Sequence, residues 1–394
     1  MESRPCLLRA RAWWGDRLVA ESTGAVRVER AGEAPLLYFP CADVRFDLLE
    51  AEGAEGAEGT GLWSVGADPG LAAFDHDRVR IELVDGVEDT PPRDVTVKRF
   101  PNWGDASDLI ELLDVQPDGD GRFASAARSD WRRPVVDGSQ MLAQAIVAAG
   151  RHAPGRRAVA AHMVFLRAAD AALPVHVDLD ELSSGRTFTS LSVQVGQDGR
   201  RCAAGTLLLD AMAQPGPIRH AVAPPDVAGP YESEPWDMSV TGRDIRFVDG
   251  AYTGDPDAPA GPPVLDAWVR FREVPDDPHL HAGLLAQFTG HLSIAAALRP
   301  HEGIGQDQAH RTLSTAINAI GLSLHAEVRA DRWMLYHHES TFAGDGMTHA
   351  ACRVHDEAGA LLASFTVEAM VRPFRDRGSG PGAGGAPADE RTAL

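Results

Sequence analysis

The sequence predicts an α+β protein in which a buried helix wrapped by antiparallel sheet is made twice, preceded by a small β-rich domain. Residues 7 to about 95 consist of short alternating apolar runs divided by turn residues, the pattern of half-buried strands. Two later stretches read as buried helices: GSQMLAQAIVAAG (Gly138 to Gly150), apolar or small on every side, and LLAQFTGHLSIAAAL (Leu284 to Leu298), with apolar residues at three- and four-residue spacing. Each is followed by strand-like runs in the same order, so the second half repeats the first.

In chain order, LLRARAWWGDRLVAES is two strands about a Gly-Asp turn, and AVRVERAG, APLLYFP, LWSV and DRVRIELVDG continue the β-rich module over 1–97. The run EGAEGAEG, Glu52 to Gly59, interrupts it with a loop too polar to pack. A first helix-and-sheet domain spans 98–213: DLIELLDV, then the Gly138 helix, then strands in AVAAHMVFLRAA, LPVHVDLDELSSG, RTFTSLSVQVG and, after an Asp198-Gly199 turn, RRCAAGTLLLDAM. Residues 214–263, rich in Pro, Gly and Asp, read as a linker with one short strand at DIRFVDG. The second domain, 264–376, holds the run from Leu284, read as one helix closed by Arg299-Pro300, and strands in STAINAIGLSLHAEV, RWMLYHHESTFA, MTHAACRVHD and ALLASFTVEAMVRPF. Residues 377–394 read as a disordered tail.

Composition narrows the function. With 394 residues, 44 % hydrophobic and 24 % charged, the chain is an ordinary globular sequence long enough for more than one core. A formal net charge of −20 argues against nucleic acid, because a phosphate-backbone partner needs concentrated Lys and Arg, and the only dense basic clusters, RSDWRR and GRR, are short. Cys6, Cys41, Cys202 and Cys352 are scattered without metal-ligand spacing, so no disulfide framework, metal or cofactor is expected and a reducing, cytoplasmic setting fits. Neither a signal-peptide core nor a span of ~18 apolar residues occurs, so no membrane partner is expected. A homodimer is expected.

The stretches GSQMLAQAIVAA, AHMVFLRAAD, ELSSGRTFTSLSVQVGQDGR, DDPHLHAGLLAQFTGHLSIAAALRPHEG, LHAEVRADRWMLYHHES and GALLASFTVEAMVR, in this order over about residues 105 to 373, resemble the type II acyl-CoA thioesterases. That resemblance implies a double hot-dog fold, an acyl-CoA or acyl-carrier thioester substrate, and hydrolysis to free acid and thiol. It also implies an Asp on the second helix, a Thr or Ser in the following strand and a Gln in the last strand, which together orient a water. Here the Asp position is Gly290, in a register fixed by ALRPHE downstream; the Thr position falls near Ile317, beside Thr315 and Asn318; the Gln position falls on Val367, beside Glu368. Because a one-residue slip reverses every strand side chain, Asn318 or Thr315 stands as a substitute for the Thr and Glu368 for the Gln. The N-terminal stretches LLRARAWWGDRLVAES, LLYFPCADVRFDLLE and DHDRVRIE resemble a small β-module of unknown function found in actinobacteria.

Candidate site residues follow from these departures. His291, Asn318 and Glu368 are the catalytic candidates, His291 because an imidazole is a suitable base near neutral pH. Asp137, Gly138 and Ser139 open the first buried helix, whose free N–H groups suit a thioester carbonyl, with Asp137 as N-cap. His162, in AHMVFLR, matches a His of the family's corresponding strand and is placed in the substrate tunnel with Thr289, Gly290 and Thr315. Gly290 has two readings: it opens space for an acyl group or lets a backbone N–H approach the carbonyl, or it is a helix-packing glycine, with His291 a core histidine. No GxSxG elbow or phosphate-binding glycine loop is present, and His337 and His338, adjacent in a strand, point to opposite faces and do not ligate one ion. The alternatives to hydrolysis are a lyase, isomerase or cyclase on the same scaffold, or a non-catalytic acyl-binding subunit.

Overall fold

The computed structural model describes residues 2–30, 34–50, 62–65, 69–86, 95–102, 104–127, 135–211, 216–253, 255, 257–309 and 312–374. The Glu52–Gly59 run, the RSDWRR cluster and the 377–394 tail lie outside the described residues. Two compact units result, the first drawn from Met1–Asp105 with Asp237–Gly242, the second from Ala106–Arg128, Arg133–Trp236 and Arg243–Leu394. No helix among the described residues is long and apolar enough to cross a membrane.

The first unit has two antiparallel sheets. One runs Glu2–Pro5, Val26–Glu29, Leu36–Pro40, Leu71–Phe74, Trp63–Val65; the other Arg17–Ser22, Arg9–Trp14, Arg80–Asp85, Thr96–Phe100. Alternation places Leu37, Phe39, Phe74, Ile81, Leu83 and Phe100 in one apolar core. Gly15, in the predicted Gly-Asp turn, takes φ 59°.

The second unit is built on one sheet of thirteen strands. At its centre Arg157–Phe165 pairs antiparallel with Leu313–Leu324. Outward from this seam the first half runs Arg200–Asp210, Phe188–Gln197, His176–Ser184, Arg122–Ala124, and the second runs Leu361–Pro373, Met347–Asp356, Met334–Gly344, Val264–Phe271. The predicted repeat is thus a structural one, with five strands of each half matched in order across the seam. Equivalent hairpins close at Asp198-Gly199 (φ 48° and 73°) and Asp345-Gly346 (φ 52° and 75°), two-residue turns whose central residues are both left-handed. Two pieces of the 214–263 segment, Arg243–Phe247 and Glu234–Trp236, extend the sheet beyond Val264–Phe271.

The predicted first helix is Gly138–His152, with the twelve residues from Ser139 to Gly150 buried. The run from Leu284 is not one helix. Pro278–Phe288 ends, and Ser293–Leu298 begins after a break. The Thr289 hydroxyl donates back to the Ala286 carbonyl at 2.6 Å, and Leu292 takes a left-handed φ of 70°, a conformation no helix continues through. Periodicity carried across the break because the residues on both sides are buried, so their spacing held no record of the turn.

The two central helices lie antiparallel and very close. A β-carbon on Gly150 would meet the His279 ring, one on Gly283 would meet Val147 at 2.9 Å, and one on Gly290 would meet Ser139. Three positions on one side of the seam or the other are therefore glycine because the partner helix occupies the space.

Candidate active site

The N-terminus of the Gly138–His152 helix meets the C-terminal end of the Pro278–Phe288 helix, which brings Gly138, Ser139 and Gly290 together. Asp137 occupies the N-cap position with extended backbone, but its side chain makes no cap hydrogen bond, in contrast to the capping expected. The first N–H groups of a helix have no partner within it, and the positive end of this helix dipole sits against the negative end of the other. The Phe165 ring lies flat on Gly138, 3.0 Å from where a β-carbon would stand. Ser139 is 1 % exposed, and Ile317 Cδ1 completes the contact, 3.4 Å from the β-carbon position of residue 290. Gly290 therefore opens no space of its own, since Ser139 fills it.

Asn318 follows Ile317 in a β-bulge. Ile317 pairs with Ala369 and Ala319 with Glu368, leaving Asn318 as the extra residue, and its buried Oδ1 has no hydrogen-bond partner. An unmatched buried acceptor costs about 1–3 kcal/mol unless a water or ligand satisfies it. Thr315 is buried two residues before Ile317 on the same strand. His291 follows Gly290, is 8 % exposed and stacks on Phe288 with ring centroids 4.7 Å apart. Thr289 is fully buried with its hydroxyl committed to the helix carbonyl.

Two candidates stand elsewhere. Glu368 is on the face opposite the buried Val367, its carboxylate 42 % exposed and 3.8 Å from His349 Nε2. His162 is exposed on that same outer face, its ring lying over Gly321 beside Thr366. The alternation of buried residues through Ile320, Leu322, Val367 and Ala369 explains both placements, since neighbours in a strand cannot share a face.

A second polar cluster escaped the sequence reading. Ser293 Oγ lies 3.1 Å from His338 Nδ1, and Cys352 Sγ lies 3.4 Å from the same nitrogen, all three residues buried. Burial, reinforced by the nearby His337, pushes the His338 imidazole down to about 3, and burial pushes the Cys352 thiol up to about 12. Both are neutral near pH 7, so Cys352 supplies no thiolate nucleophile. His337 turns to the other face and bonds Asp266 Oδ1 at 2.7 Å. The HH pair in LYHHES signals that one ring points inward; nothing in the sequence says that Ser293 and Cys352 meet it. A cavity of about 200 Å³ lies beyond the Ser293–Leu298 helix, lined in part by Tyr252, Leu265, Ala295, Leu298, Arg299 and Gln306, and includes none of the Ser139–Gly290 group.

Two family descriptions match the chain: the acyl-CoA thioesterase N-terminal domain over residues 127–209 and the acyl-CoA thioesterase C-terminal domain over residues 219–371, together more than half of it. The chain belongs to the type II acyl-CoA thioesterase family. It is 27 % identical over 274 residues to human acyl-coenzyme A thioesterase 8, covering 60 % of this chain and 80 % of that one. It is 26 % identical over 284 residues to acyl-CoA thioesterase 2 of Haemophilus influenzae, covering 68 % of this chain and 97 % of that one. Among solved structures, a tesB protein of Mycobacterium avium subs paratuberculosis matches with a TM-score of 0.57 at 22 % identity, over 68 % of this chain and 99 % of that one. An acyl-CoA thioesterase II from Mycobacterium marinum matches with a TM-score of 0.54 at 23 % identity, over 68 % and 98 %. These structural likenesses concern the hot-dog fold. Of the three type II thioesterase positions aligned from sequence, the structure brings 290 and 317 into contact, as Gly and Ile. Val367, the third, is buried opposite Ile320 in the neighbouring strand.

Proposed function

We propose that this chain hydrolyses an acyl-CoA, or carrier-bound acyl, thioester at a site built around Ser139, Gly290, His291 and Asn318. The observation that carries the reading is the convergence of an N-terminus without side-chain cap, from a fifteen-residue helix, with Gly290 and with the bulge at Asn318, inside a fold whose family is that of acyl-CoA thioesterases. Helix N–H groups stabilise negative charge developing on the carbonyl oxygen. A water held at Asn318 Oδ1 attacks the carbonyl carbon, the carbon–sulfur bond breaks, and the thiol leaves with the proton that His291 has taken from the water. Glu368, on the outer face, stands apart from this group.

The filled slot at Gly290 favours a second reading, in which the site binds or rearranges an acyl thioester without admitting water. One assay decides between them. Thiol release is measured from short-, medium- and long-chain acyl-CoAs with the wild type, His291→Ala and Glu368→Gln. Hydrolysis at this site predicts release by the wild type, a loss of about 100-fold in His291→Ala, and a change within about twofold in Glu368→Gln, as for a surface substitution. Wild-type release no faster than buffer overturns the hydrolase reading for those substrates.

A further inference from the structure

Ser139 and Gly290 come from different halves of the chain, yet the space for a side chain at either is the same space. A β-carbon built on Gly290 would lie 2.3 Å from Ser139 Oγ and 2.7 Å from Ser139 Cβ. Moving the serine hydroxyl to another rotamer relieves the first contact. It does not relieve the second, because a β-carbon is fixed by its backbone. The slot therefore admits one side chain, delivered either from the first turn of the Gly138–His152 helix or from the far end of the Pro278–Phe288 helix. Ile317 Cδ1 stands on one side of the slot, 3.4 Å from the β-carbon position of residue 290, and the Phe165 ring packs on the adjoining Gly138. The group placed there is a hydroxyl, and Asn318, next to Ile317, keeps a buried Oδ1 without a protein partner. A hydroxyl held in a slot against Ile317 is poorly explained by packing alone, for which alanine serves better.

We infer that positions 139 and 290 act as one functional position divided between the two halves, and that the Ser139 hydroxyl placed in it donates a hydrogen bond to the carbonyl oxygen of the bound acyl thioester. The inference rests on the hydrolase reading for its chemistry, while the shared slot is a property of the two helices alone. A hydroxyl does not take a proton from water at neutral pH, so its part is to hold and polarise the carbonyl while other groups activate water. Its effect falls on the chemical step more than on binding.

The test moves the hydroxyl from one helix to the other. Ser139→Gly, Gly290→Ser and the double variant Ser139→Gly/Gly290→Ser are compared with the wild type in melting temperature and in acyl-CoA thiol-release kinetics. Expected are a lower melting temperature for Gly290→Ser alone, restored in the double variant, because only the single variant puts two side chains into one slot. Also expected is a fall in kcat of about tenfold or more in Ser139→Gly with KM little changed, recovering in the double variant to within about threefold of wild type.

Gly290→Ser melting with the wild type, or the double variant melting no higher than Gly290→Ser, overturns the shared slot. Ser139→Gly with unchanged kcat, or a well-folded double variant as slow as Ser139→Gly, overturns the role of the hydroxyl. A wild type that releases no thiol overturns the hydrolase reading and that role together, while the melting temperatures still decide the slot.

Discussion

His338 shows how a single side chain records its surroundings. The imidazole is fully buried between Ser293, Cys352 and Phe365, and its affinity for a proton is pushed down to about 3. In the unfolded chain a histidine titrates near 6.5. Between these values the unfolded state binds the extra proton, so its stabilisation of the native state is fully present above pH ~6.5 and is lost as pH falls toward 3, at up to about 1.4 kcal/mol per pH unit. Urea midpoints measured between pH 7 and 4 are expected to fall in the wild type, and to fall distinctly less steeply in His338→Gln. Equal slopes would show that the ring accepts its proton without unfolding. Residue identity alone did not reveal this environment: LYHHES shows two adjacent histidines, and only the packing of the Ser293–Leu298 helix on the sheet distinguishes the apolar side from the side where His337 meets Asp266.

At the scale of elements, close approach explains glycines that otherwise oppose the local pattern. Gly205 interrupts the strand Arg200–Asp210, where glycine weakens pairing and has no side chain to pack. Its reason is the neighbouring strand: a β-carbon there would stand 2.1 Å from the His162 carbonyl oxygen and 3.0 Å from Met163 Cα, both backbone atoms held by the sheet. Gly205→Ala is expected to destabilise the fold by about 1–3 kcal/mol or more, read as a lower urea midpoint with an unchanged slope. An unchanged midpoint would mean that the two strands separate readily at the centre of the sheet. The elements themselves were readable where period and turn chemistry agree, as in the two hairpins closing at Asp198-Gly199 and Asp345-Gly346. The run from Leu284 was misread as one helix because its break is made by Thr289 bonding backward and Leu292 turning left-handed, neither of which is a residue type that announces a turn.

For the whole molecule, charge sets how a phosphorylated substrate is met. A formal net charge of −20 repels the phosphates of CoA at distances where salt does not screen it, about 10 Å at 0.1 M. Under the hydrolase reading, KM for an acyl-CoA is expected to fall as salt rises from about 20 to 200 mM. KM for an uncharged pantetheine thioester of the same acyl group should stay level. A KM for acyl-CoA that instead rises with salt would show that a local cationic patch outweighs the net charge.

The sequence by itself determined the repeated architecture, because burial imposes a period on each helix and strand and the same order of periods occurs twice. It also determined that position 290 carries no carboxylate. Only the tertiary structure decided what fills that place and which candidates share it. Ser139 and Gly290 lie far apart in the chain and meet through the antiparallel packing of two helices, while Glu368 and His162 are turned to the outer face by strand parity, Glu368 opposite a bulge that leaves the register open. Neither packing across a repeat nor the parity of a bulged strand is encoded in the residues next to it, so both had to be read from the folded chain.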